Sequence, residues 1–141
     1  MEQLIKEKIS ADHLLYVSLK YTKTCDVIIN LLLRWKNMID IGVDMLIEKA
    51  KKRKKWKDVP NAPMAKLLQL KKIYTSNPDV SKTLEIYEMF RDIENLEKVR
   101  ENEFRKGVNL KVTFKRQTVN IDLEKLKEYS SILERFISYL K

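Results

Sequence analysis

The chain has 141 residues, 44% hydrophobic and 35% charged, with a net charge of +9, one histidine, one cysteine, two glycines and three prolines. That size and balance describe a single globular domain able to bury its own core, and so few turn residues favour a helical fold over an all-β one. Cys25 alone excludes an internal disulfide or a Cys-based zinc cluster, one histidine excludes an HExxH metal site, and Gly42 and Gly107 cannot build a phosphate-binding loop.

Glu2 to Tyr21 is predicted as a first helix, with Leu4, Ile5, Ile9, Leu15, Tyr16 and Leu19 on its buried side and an untidy register around Ser10–His13. No N-terminal apolar run precedes a cleavage-like site, so the expected compartment is the cytoplasm. His13 follows Asp12, but helical neighbours point about 100° apart, so the two form no dyad. A surface or boundary imidazole is expected.

The stretch Cys25 to Glu48 organises the chain. Ile28, Leu32, Trp35, Ile39, Gly42 and Leu46 recur in steps of four and three, and Val27, Leu31, Met38 and Met45 form a second apolar band beside them. Only a stripe through Asp26, Asn30, Asn37, Asp40, Asp44 and Glu48 is polar, so neighbours are expected on at least two sides. Charges interrupt every window of about 20 residues that a bilayer would require. Thr22 or Thr24 is the expected cap, Asp26 suits the helix dipole, and the helix should run on into Lys49–Lys55. Cys25 reads as a small core residue.

Lys57 to Pro63 is predicted as a connector, followed by a third helix from Met64 to Tyr74 with Met64, Leu67 and Leu68 inward and Ile73 and Tyr74 as further inward candidates. Asn77-Pro78-Asp79 announces a fourth helix, with apolar spacing from Val80 to about Val99. The period then changes. Val108, Leu110, Val112 and Phe114 alternate, as do Val119, Ile121 and Leu123, which predicts a β-hairpin at about 108–121 with a loop of three to four residues. Asp122 should cap the last helix, about 122–140, with Leu126, Tyr129, Leu133, Phe136 or Ile137, and Leu140 as its stripe. The predicted architecture is a mainly α, five-helix, mostly antiparallel bundle with a short hairpin before the last helix.

The charge is concentrated. Residues 49–72 carry ten basic side chains against Asp58, while the rest of the chain is nearly balanced. Lys49, Lys51, Lys52, Arg53, Lys54, Lys55 and Lys57, with Trp56 among them, form a candidate nucleic-acid surface of cations and one stacking ring. The alternative is a solvated helix end on a structural or interaction module, a homodimer or the partner of a second protein. An anionic membrane surface is a weaker third reading, because no apolar anchor adjoins the run. No catalytic constellation, metal site or cofactor motif is expected; Asp40 and Asp44 lie one turn apart but read as solvated acids.

A long apolar central helix, a short helix after a loop and a fourth helix running into an Arg-rich end resemble the HEPN superfamily of small helical bundles. The segment ADHLLYVSLKYTKTCDVI (residues 11–28) and the order ENEFRKGV, hairpin, helix (101–141) are similar to small archaeal proteins of that class. The resemblance implies RNA-linked roles, dimers, toxin-antitoxin-type partners and a ribonuclease motif of Arg, four to six residues, then His. Arg100 and Arg105 stand in the expected segment, but Gly107 occupies the most distant histidine position, and no histidine follows Arg91. The expectation is therefore a non-catalytic RNA- or polyanion-binding member. Its degenerate groove would gather Asn37, Asp40, Arg100 and Arg105 between two protomers.

Overall fold

The computed structural model describes residues 1–53 and 61–141. Among them are five helices: α1 in three joined segments (Glu2–His13, Leu14–Ser18, Leu19–Tyr21), α2 (Cys25–Lys52), α3 (Pro63–Ile73), α4 (Pro78–Asp92) and α5 (Leu123–Leu140). Strands β1 (Lys98–Glu101), β2 (Asn109–Phe114) and β3 (Gln117–Ile121) form one antiparallel sheet in that order before the last helix. The chain is mainly α, as the periodicity implies.

α2 is the central rod. The Thr24 hydroxyl accepts the Val27 N–H and caps its start, and Ile28, Leu32, Trp35, Ile39, Gly42 and Leu46 are all buried. Its neighbours are α1 on one side and α4 with α5 on another. Trp35, Phe90 and Tyr129 join three helices: Trp35 stacks on Phe90 at 6.1 Å, and Tyr129 meets both rings edge-on at 6.3 and 5.3 Å. Such pairs add about 0.5–1.5 kcal/mol each beyond the area they bury. Cys25 is buried, its thiol donates to the Asn109 carbonyl at 3.3 Å, and burial raises its pKa.

In α1 the bonding opens to an i→i+5 turn, Leu19 N–H donating to the Leu14 carbonyl. Leu15 and Leu19 lie on the buried side of this turn, and Tyr16 faces out. Tyr16 and Ile9, both expected inside, are 54% and 63% exposed; Ile9 lies about 140° around the helix from Leu4. On α3 the buried stripe is Leu67, Leu70 and Tyr74, so Met64 and Leu68 face outward against expectation.

The largest departure follows α4. Asn77 accepts the N–H groups of Asp79 and Val80 as predicted, yet the helix ends at Asp92 rather than near Val99. Lys98 explains the stop. Its ammonium donates to the carbonyls of Ile93, Glu94 and Leu96, closing the C-terminal end of the helix. The following residues gain a ladder instead, Lys98 opposite Val112 and Arg100 opposite Leu110. The expected hairpin is therefore a three-stranded sheet. Leu110, Val112 and Ile121 fill its buried face, and a third strand gives the ribbon the support a lone hairpin lacks.

The β2–β3 turn is also tighter than expected. Phe114 pairs with Gln117, leaving Lys115 and Arg116 as a two-residue turn with φ of 51° and 64°. Two positive φ values mark a type I′ turn, where Asn-Gly is the usual occupant. Arg116→Gly should therefore raise stability by about 0.5–1 kcal/mol in urea unfolding, because glycine enters the left-handed region without the Cβ clash.

Candidate polyanion-binding surface

The basic run sits at the C-terminal end of α2, where the helix dipole favours cations. Lys49 is engaged: its ammonium donates to the Tyr139 carbonyl at 3.2 Å and lies 4.7 Å from that ring's centroid. Lys51 pairs with Glu48 at 3.5 Å, an exposed bond of little energetic weight. Lys52 and Arg53 are exposed and make no ion pair with another described residue. Arg53 also borders a small pocket of about 190 Å³ with Ser76, Asn77 and Tyr139. Lys54, Lys55, Trp56 and Lys57 lie outside the described residues. Of the other cations in 49–72, Lys71 is held by Glu88 at 2.5 Å.

The four residues of the expected degenerate groove are not brought together within one chain. Asp40 accepts the Tyr87 hydroxyl and pairs with Lys36 at 2.8 Å. Burial and that bond push the Tyr87 phenol well above its ordinary pKa. Arg100 is bound to Asp26 at 2.8 Å, fourteen residues before Asp40, which is about 21 Å along the helix axis. Arg100 lies on β1 and Arg105 in the loop after it, rather than at a helix end. Asn37 instead shares a shallow groove with His13, Asn30 and Arg34 between α1 and α2. His13 is exposed, with Ser18 Oγ 3.5 Å from its Nδ1.

The segment from Arg100 to Gly107, which lacks the histidine of the expected motif, has a structural task here. Glu103 accepts the Cys25 N–H at 3.1 Å and the Arg100 guanidinium at 3.3 Å, and Phe104 N–H donates to the Lys23 carbonyl at 2.6 Å. Asp26 and Glu103 thus occupy the anion-favouring N-terminus of α2 and neutralise Arg100. A phosphate there would compete with two carboxylates for a guanidinium that is itself half exposed.

Sequence reading missed two features. One is Glu88, buried between Lys71 and Lys115; within the periodic pattern of α4 it was indistinguishable from a wetted acid. The other is a groove with Lys20, Lys23, Lys106 and Lys127 around an apolar floor. Its residues come from three distant segments, so no local pattern announces it. Among the described residues no helix is long and apolar enough to cross a membrane. No protein-family model matches the chain, and neither a curated protein nor a solved structure gives a significant match.

Proposed function

We propose that the chain is a non-catalytic, HEPN-like cytoplasmic module that binds RNA or another polyanion through the end of α2. The observation that carries this reading is the focusing of the whole charge excess into residues 49–72, with Lys52 and Arg53 exposed where the helix dipole is negative. Neutralisation of Arg100 by Asp26 and Glu103 supports a binding role over a cleaving one. Fluorescence anisotropy with a short labelled RNA should detect binding at about 50 mM salt that weakens steeply as salt rises. Lys52→Gln with Arg53→Gln should lower the slope of log K against log salt by roughly 1.4, since each single-strand phosphate contact contributes about 0.7. Absence of binding at low salt, or an unchanged slope, would overturn the reading.

A second reading, a self-associating interaction module, draws on the exposed apolar side chains of α1, Ile9 and Val17 among them. Light scattering decides for it if the particle exceeds the 16.8 kDa of one chain and Ile9→Glu returns it to that mass. Pairing through the β1 edge is disfavoured, because Lys98, Arg100 and Glu101 charge that strand.

A further inference from the structure

The end of the molecule opposite the lysine run, about 40 Å away along α2, carries a groove of about 510 Å³. Its floor is apolar: Leu15 and Leu19 of α1, Val108 before β2 and Leu123 at the start of α5, with Tyr16 at one side. Leu15, Leu19 and Val108 belong to the core, whereas Tyr16 and Leu123 are 54% and 44% exposed. Lys20, Lys23, Lys106 and Lys127 stand around this floor.

Two acids also border the groove, Asp122 and Glu124. The Asp122 carboxylate accepts the Lys125 N–H at 2.9 Å as the cap of α5 and keeps its charge, so with Glu124 two acids stand against four lysines and the lining is net positive by two. Among the described residues none of the four lysines is ion-paired. Lys23 donates to the Lys20 carbonyl at 2.6 Å, which leaves its charge uncompensated. The site is cationic at the rim and greasy below.

Both backbone irregularities of this region converge on it. The widened turn Leu14–Ser18 supplies Leu15 and Tyr16, and such turns recur at binding sites because they re-aim side chains. The β1–β2 loop holds Asn102 and Phe104 at φ of 55° and 64°, strained for a bulky aromatic, and delivers Lys106 and Gly107 to the rim. Phe104 is 77% exposed, and its backbone N–H donates to the Lys23 carbonyl.

We propose that this groove binds a free aliphatic carboxylate, a medium- or long-chain fatty acid, with its chain on Leu15, Leu19, Val108 and Leu123 and its carboxylate among the lysines. An apolar floor under a cationic rim is complementary to an amphiphilic anion. A bare phosphate backbone would leave the floor unmatched, and a neutral hydrocarbon the rim. The volume falls in the range of small-molecule pockets, whereas two turns of a partner helix, about 10 Å wide and 11 Å long, fill roughly 850 Å³.

Isothermal titration of the full chain with octanoate, decanoate and dodecanoate, each below its micelle concentration, tests this without any nucleic acid. Its outcome is therefore separate from that of the polyanion reading. Saturable binding should strengthen roughly threefold to fourfold per added methylene until the floor is covered. Dodecyltrimethylammonium should bind at least about tenfold more weakly. Lys106→Glu with Lys127→Glu, and separately Leu123→Asp, should each weaken dodecanoate about tenfold or more, while Lys82→Glu on α4 leaves it unchanged. All these positions are exposed, and urea unfolding verifies that each variant is folded. No dodecanoate binding, equal binding of the cationic amphiphile, or indifference to both groove variants would overturn the proposal. So would binding to phosphatidylglycerol vesicles without binding of free dodecanoate, which assigns the face to a membrane surface.

Discussion

Gly42→Leu is expected to destabilise the chain by about 3 kcal/mol or more, and Gly42→Ala by about 1 kcal/mol, in urea unfolding. The sign of the alanine result is diagnostic. Glycine inside a helix costs about 1 kcal/mol relative to alanine, so propensity alone makes Gly42→Ala stabilising. Packing reverses it. A Cβ at Gly42 would stand 2.5 and 2.7 Å from Cε2 and Cζ of Phe136 and 3.2 Å from Cδ1 of Leu140. Phe136 is fully buried and cannot swing into solvent, so α5 must shift away from α2 or the ring must leave its rotamer. Gly42→Ala combined with Phe136→Leu should lose less than the sum of the two single changes, because the smaller side chain vacates the clash. A stabilising Gly42→Ala would show that α5 does not lie against α2 at this point.

Glu88→Ala should cost about 2–3 kcal/mol, the second large effect. Glu88 sits on α4 and is 8% exposed, yet it accepts from Lys71 of α3 and from Lys115 of the β2–β3 turn, each at 2.5 Å. One carboxylate therefore ties a helix and the sheet to α4. Its loss would leave two ammonium groups without their partner. Lys115 is 66% exposed and regains water readily, which keeps the cost below that of a fully buried pair.

The same group sets a pH dependence. Burial pushes the Glu88 pKa up, but the hydrogen bonds from Lys115 and Lys71 outweigh it and leave the carboxyl below its ordinary 4.5. A carboxyl with a depressed folded pKa contributes stability above its unfolded value, and that contribution is lost as pH falls through the folded one. Wild-type stability should therefore drop below about pH 4.5 through this group, while Glu88→Gln should lack that part of the acid slope. Urea midpoints between pH 3 and 7 measure the difference. Equal acid slopes in the two proteins would remove Glu88 from the role.

What the amino-acid order determined by itself is the part of the fold written in short-range chemistry. The seam from Ile28 to Leu46, a threonine cap at Thr22 or Thr24, the caps at Asn77 and Asp122, and the stripe from Leu126 to Leu140 each need only helical spacing or one side chain near a free N–H. The charge focus at 49–72 is likewise a property of the chain alone. Tertiary structure decided the rest, because those choices were locally balanced. Residues 94–101, rich in both charges, suit a helix until Lys98 caps α4 and β2 offers a ladder. Lys115-Arg116 accepts a turn that favours Asn-Gly, with Lys115 bonded to Glu88. Arg100 could have been a phosphate ligand, but Asp26, 74 positions earlier, reaches it first. The four-lysine groove exists only because α1, the β1–β2 loop and α5 meet at one end of the bundle. Contacts between segments far apart in sequence carry no periodic signature, so only the folded chain reveals them.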